Sequence, residues 1–261
     1  MAQTLTSTFA GPIQKHIITP RVRRSDSPVR RAAKHKATSD AQKRGNQKRS
    51  YEDLELLLAA NYPAAGSAVV FTLTYDDDHL PKDRDTTKAR KRVNADLVNF
   101  RGGVNRARKK AGLPDMRAFW SIEVLTSVSG RWHVHMIMDS TGHDYDMIRK
   151  AWKGGDVVEI EPLRVDDDKN HLTLAKYMTK EAREAQDYIS KPNTLSDSHT
   201  RNILKPERET RIVPDDYELA IPEGAVILHD EVCQTAFASW RYVKFRTPAP
   251  AVRARRKRRR R

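Results

Sequence analysis

The stretch Trp132-His133-Val134-His135-Met136-Ile137-Met138 alternates with a period of two. Successive side chains of a strand take opposite faces, so Trp132, Val134, Met136 and Met138 make an apolar face. His133, His135 and Ile137 point the other way. Just upstream, Arg117–Leu125 also reads as a strand, and Thr126–Gly130 joins the two as a five-residue hairpin loop. A turn centred near Ser127–Ser129 sets Glu123 opposite His133, with Cβ atoms ~4.5–5.5 Å apart. A slip of one residue would turn the Glu123 charge toward Trp132, Val134 and Met136, at a cost in desolvation. A single strand histidine is commonly a hydrogen-bonded structural residue. Two imidazoles and a carboxylate on one face instead suit a divalent cation, with coordination positions left for substrate oxygens.

Outward from this hairpin, Ser67–Tyr75 is a strand with Val69, Phe71, Leu73 and Tyr75 on one face and Val70, Thr72 and Thr74 on the other. Leu54, Leu57 and Leu58 recur at helical spacing before Pro63. Thr87–Lys110 places Val93, Leu97, Phe100, Val104 and Ala107 at helical intervals, and Gly102-Gly103 predicts a bend or break within it. A helix near Asp144–Trp152, a strand through Val157–Leu163, a helix from about Asn170 to Ala185 and an apolar strand at Ala225–Leu228 follow. Helices separated by hairpins and single strands predict an α+β domain, an antiparallel sheet with helices on one face.

The helix from Asn170 supplies a nucleophile. Tyr177 and Lys180 are three residues apart and share a helix face. A phenol is a weak nucleophile at neutral pH, and a nearby ammonium and cation favour its phenolate. Helix tyrosines are ordinarily amphipathic anchors; the His-x-His strand upstream gives this one a chemical partner. Tyr188 repeats the Tyr-x-x-Lys spacing, but Pro192 follows at once, so Tyr188 ranks second as nucleophile.

Charge is unevenly distributed. Residues 1–49 hold 12 Lys/Arg against two Asp/Glu, and residues 253–261 hold eight Lys/Arg and no acid. Of the formal +15, residues 50–252 therefore carry a net −3. This predicts a basic, mostly disordered N-terminal arm over 1–49, a folded body over 50–246 and a basic disordered tail over 247–261. Arg255, Arg256, Lys257 and Arg258 in that tail would bind phosphates through counterion release, blind to sequence. Cys233 is the sole cysteine, so no disulfide framework is expected. No apolar run approaches the ~20 residues of a bilayer span, and the expected location is the cytoplasm of the host cell, with no membrane partner.

Taken together, His133-Val134-His135 and Tyr177-x-x-Lys180 resemble the HUH family of endonucleases, which cleave single-stranded DNA through a tyrosine. Phe71-Thr72-Leu73-Thr74-Tyr75-Asp76-Asp77-Asp78-His79-Leu80-Pro81 is similar to the first motif of rolling-circle replication initiators from small phages and plasmids, and Leu174-Ala175-Lys176-Tyr177-Met178-Thr179-Lys180 to their third. Order and spacing match over about residues 40–245. Tyr188 and the basic tail depart from the pattern. The resemblance implies a ferredoxin-like or RNA-recognition-like sheet with a metal on its open face. His133, His135 and Glu123 would bind Mg²⁺ or Mn²⁺, Tyr177 would attack origin DNA, and Lys180 would steady the phenolate or the phosphate. Thr72 and Thr74 would reach the DNA backbone from the neighbouring strand. With no G-x-x-x-x-G-K-[ST] sequence, unwinding would fall to a host helicase and extension to a host DNA polymerase, with no small-molecule cofactor. A relaxase or single-strand transposase would share this site, and a non-enzymatic DNA-binding protein would rely on the tails alone.

Overall fold

The computed structural model of the chain describes residues 2–21, 40–82, 86–125, 131–155, 157–168, 170–179, 199–234 and 239–248. In chain order these form β1 (Gln3–Ala10), β2 (Ile13–Pro20), α1 (Asp40–Asn61), β3 (Ala68–Thr74), α2 (Thr86–Lys110), β4 (Ala118–Leu125), β5 (Arg131–Asp139), α3 (Asp144–Ala151) and β6 (Val157–Pro162). Helix α4 covers 172–179. Strands β7 (Glu207–Val213), β8 (Val226–Gln234) and β9 (Ser239–Arg246) follow. The chain divides into two compact units. One comprises Ser50–Glu55 and Ala64–Leu204, the other Met1–Arg49, Leu56–Pro63 and Lys205–Arg261.

The first unit is built on a four-stranded sheet of order β4-β5-β3-β6 with every neighbouring pair antiparallel. Its chain order, β3-α2-β4-β5-α3-β6, is the split βαβ arrangement of ferredoxin-like folds. One sheet face carries Phe71 and Leu73, Trp120 and Ile122, and Trp132, Val134, Met136 and Met138, all buried. Against it α2 packs Ala89, Val93, Leu97, Phe100 and Val104, while Ile148 of α3 and Trp152 just beyond complete the core. Each such buried large side chain contributes roughly 1.5–3 kcal/mol relative to exposure. The expected α+β architecture with helices on one sheet face is thus the observed one.

Helix α2 differs from expectation at Gly102-Gly103, where it runs on without a break. A Cβ on Gly103 would lie 3.1 Å from the Ala151 Cβ, so this glycine is a notch that lets α3 approach. Arg108, on the basic side of α2, is fully buried. Its guanidinium donates to Asp139 Oδ1 at 2.9 Å, to the Asp139 carbonyl at 2.6 Å and to Asp144 Oδ1 at 3.2 Å. One cation thereby ties the end of α2 to the end of β5 and the start of α3. At the far edge of the sheet the β3–β6 register shifts between Val70 and Thr72, and Glu159 in β6 takes a left-handed φ of 48°.

The second unit holds a five-stranded antiparallel sheet of order β7-β1-β2-β9-β8. Its presence corrects the reading of residues 1–49 as a mostly disordered arm. Gln3–Ala10 and Ile13–Pro20 alternate around Gly11-Pro12 and form a hairpin in the middle of the sheet. Gly11 has φ 55°, and a Cβ there would sit 2.4 Å from the Ala59 carbonyl oxygen. The turn therefore needs glycine twice over, for its backbone and for its close approach to α1. Two small apolar clusters anchor this unit, Ala10/Ile13/Leu56/Ala59 and Leu5/Ile18/Val213. His16 of β2 is also buried, with Nδ1 2.9 Å from Ser7 Oγ and its ring stacked on Phe245 at 5.3 Å.

Candidate functional site

The face of the four-stranded sheet turned away from α2 and α3 carries the polar side chains. Strand β5 pairs residue for residue with β4 and β3, giving Glu123↔His133↔Thr74 in one row and Ser121↔His135↔Thr72 in the next. The Glu123–His133 register read from the sequence is the one present. The carboxylate leans diagonally, so Glu123 Oε2 lies 3.0 Å from His135 Nε2. His135 Nδ1 is 3.0 Å from Thr72 Oγ1, and His133 Nδ1 is 3.2 Å from Thr74 Oγ1. Thr72 and Thr74, assigned to the DNA backbone by resemblance, thus contact the imidazoles. Nothing in the sequence read singly shows this contact; the signal is a Thr-x-Thr strand beside a His-x-His strand.

Tyr177 comes to the same face from α4. Asn170 Oδ1 accepts the Leu172 N–H at 2.9 Å and Asp166 Oδ2 accepts the Thr173 N–H at 3.0 Å, which caps the helix start. Ala175 and Met178 bury the inner side of α4, and Tyr177 is left about half exposed. Its ring stands edge-on to that of His135, with centroids 5.6 Å apart and planes at 80°. Lys176 places its ammonium 5.5 Å from the centre of the Tyr51 ring. Lys180, Tyr188, Arg255, Arg256, Lys257 and Arg258 lie outside the described residues.

The end of β3 is fixed from two sides. Trp152 Nε1 donates to the Thr74 carbonyl at 3.1 Å, and the Asp76 N–H donates to the Gly154 carbonyl at 3.1 Å. Asp76 Oδ1 then accepts the His79 backbone N–H at 2.9 Å and meets His79 Nδ1 at 2.7 Å. These hydrogen bonds from His79 hold the Asp76 carboxyl below the usual carboxylate range. Tyr75 points into the core and donates to Asp96 Oδ2 at 2.9 Å. Burial, then the Asp96 charge, pushes its phenol well above the ordinary value. Tyr75 is therefore no candidate nucleophile, in contrast to the half-exposed Tyr177.

Two imidazoles and one carboxylate are the donor types that hold hard or borderline divalent cations. Two ligands ~2.1 Å from a cation on adjacent octahedral corners are ~3.0 Å apart, which matches the Glu123–His135 spacing of 3.0 Å. The residues thus fit such an ion, although among the described residues no three His, Cys, Asp or Glu side chains are already gathered into a cage. A hydrogen bond now spans the place between Glu123 and His135.

A βαββαβ sheet with a histidine pair, a carboxylate and a half-exposed tyrosine on its open face defines a ferredoxin-like domain with a polar reactive surface. Residues 68–182, from the first residue of β3 to just past α4, match a family model described as a replication-associated protein of the ORF2 type. The match supports a role in DNA replication, with DNA as a partner, and covers every candidate site residue from Thr72 to Lys180. Tyr188 and the five-stranded sheet fall outside it. No curated protein and no solved structure matches the chain. Among the described residues no helix is long and apolar enough to cross a membrane.

Proposed function

We propose that the chain is an HUH-type endonuclease that nicks single-stranded origin DNA and starts rolling-circle replication. The observation that carries this reading is the edge-on contact of Tyr177 with His135, whose ring also meets Glu123. It sits within the segment that matches a replication-associated family. Mg²⁺ or Mn²⁺ held by His133, His135 and Glu123 would polarise the scissile phosphate as a Lewis acid.

The chain's own residues do the rest. Tyr177, on a capped helix and half exposed, gives up its Oη proton and attacks the phosphorus. A bond forms from Oη to phosphorus as the bond from phosphorus to the 3′ oxygen breaks. The 3′ oxygen takes a proton to become a hydroxyl that primes synthesis, and the 5′ end stays on Tyr177 as a phosphotyrosine. Attack by a 3′-hydroxyl on that ester reverses the step and closes the strand. Lys180 steadies the phenolate or the phosphate, and Tyr188 is the second-choice nucleophile. The basic segments, with Arg255, Arg256, Lys257 and Arg258, tether the enzyme to DNA, while a host helicase and polymerase open and copy it.

Incubation with 5′-labelled and 3′-labelled single-stranded origin DNA and Mn²⁺ tests the reading. A denaturant-resistant adduct that is lost in Tyr177→Phe is the expected result. Retention of the adduct in Tyr177→Phe and its loss in Tyr188→Phe would move the nucleophile. Absence of any adduct on cognate DNA would sink the mechanism.

A further inference from the structure

We infer that Thr72 and Thr74 are positioning residues for the histidine pair, and that the Thr72 hydroxyl lets His135 change tautomer as a cation binds. This rests on the reading of His133, His135 and Glu123 as cation ligands. The geometry is a ladder: Thr72 on His135 at 3.0 Å and Thr74 on His133 at 3.2 Å, both at Nδ1, across the β3–β5 pairing. Both imidazoles are therefore held by the same ring nitrogen, and Nε2 of His135 is turned toward Glu123.

The chemistry follows from what each partner can donate. A carboxylate oxygen only accepts, so the 3.0 Å contact between Glu123 Oε2 and His135 Nε2 requires the proton on Nε2. In the neutral ring Nδ1 is then bare and accepts the Thr72 O–H. A cation ligated by Nε2 needs the lone pair there, so the proton must sit on Nδ1, which now donates to Thr72 Oγ1. A hydroxyl both donates and accepts, and it satisfies either state by turning about its C–O bond. A carboxylate or a carbonyl at the same place would only accept, and would fix one tautomer. Thr72 keeps the ring in place through both states. Thr74 stands in the same relation to His133 Nδ1. Threonine suits the task because its β-branched side chain is stiff at χ1 and favoured in strands.

The test uses the full chain, labelled with ¹⁵N, at a pH where the imidazoles are neutral. Long-range proton–nitrogen correlation reads the tautomer, and calorimetry reads Mn²⁺ affinity without DNA. The metal-free protein should show His135 protonated at Nε2, and Mg²⁺ should move the proton to Nδ1. Thr72→Val keeps the shape but removes the hydroxyl, and should weaken Mn²⁺ binding by roughly tenfold or more. Thr72→Ser should restore most of the affinity and the tautomer change, which a purely packing role would not. Wild-type affinity and an unchanged tautomer response in a folded Thr72→Val would overturn the inference while leaving the cation site standing. A wild-type protein that binds Mn²⁺ no better than the double variant His133→Ala/His135→Ala would remove the cation site and the inference with it.

Discussion

The two sheets of this protein are both antiparallel, yet they are stabilised in different ways. The four-stranded sheet buries one face against two helices with large side chains such as Phe71, Phe100, Trp120, Trp132 and Trp152. The five-stranded sheet rests on clusters of three and four buried apolar residues and on strands rich in Thr, Lys, Arg and Glu. The polar row with the histidines lies on the sheet that has the larger core. A rigid apolar layer on one face fixes the backbone from which the other face projects, so hydrogen-bond distances near 3 Å can be held without a ligand. The comparison teaches that the open face is ordered by what is packed behind it.

The largest effect expected from breaking that arrangement is at Arg108. Replacement by Leu leaves Asp139 and Asp144 buried without their cation, and should cost about 3–5 kcal/mol. Urea unfolding measures the loss, and hydrogen exchange should place it in the four-stranded sheet. If Arg108→Leu is as stable as the wild type, the buried ion cluster is not what joins α2, β5 and α3.

The corresponding change in the five-stranded sheet is Gly11→Ala. It forces a Cβ against the Ala59 carbonyl oxygen at a residue of positive φ, and should cost roughly 2 kcal/mol. Its exchange signature should appear in β1 and β2, while Arg108→Leu should leave those strands protected. Identical exchange patterns for the two variants would mean that the two units unfold as one.

A smaller and graded effect concerns Tyr75. Its phenol holds its proton more tightly when folded, by burial first and then by the Asp96 charge. Above the ordinary phenol value near 10 the unfolded chain has lost that proton and the folded chain has not. Stability should therefore be unaffected by this group below about pH 10 and fall by about 1.4 kcal/mol per pH unit above it. The slope between about pH 9 and 11 should be shallower in Tyr75→Phe. Equal slopes in the two proteins would show that the buried phenol is not the group responsible.

Much of the site was legible because the hairpin of β4 and β5 is local and strongly patterned. Trp132, Val134, Met136 and Met138 leave one register that keeps Glu123 out of the core, and Glu123↔His133 is that register. The five-stranded sheet was hidden for two reasons. The alternation of Gln3–Ala10 and Ile13–Pro20 was averaged into a basic segment, and β7 pairs with β1 from far along the chain, Gln3 against Val213. Nothing local marks such a partner. Gly102-Gly103 misled because a glycine inside a helix signals weakness only where no neighbour uses the space, and Ala151 does. Arg108 misled in the same way, since an arginine is read as surface unless its two carboxylate partners are known to converge on it.

The threonine–histidine ladder carries one more consequence, for error in folding. Thr-x-Thr and His-x-His have the same two-residue pitch, so sliding β3 by two residues along β5 keeps every side chain on its proper face. Such a slip costs the core little in polarity, but in one direction it would set Thr72 beside His133 and leave His135 facing Val70. Only the native alignment gives each imidazole its hydroxyl. The site therefore reads out its own assembly: a misaligned molecule can look folded to any measure of burial and still lack one of its two anchored histidines.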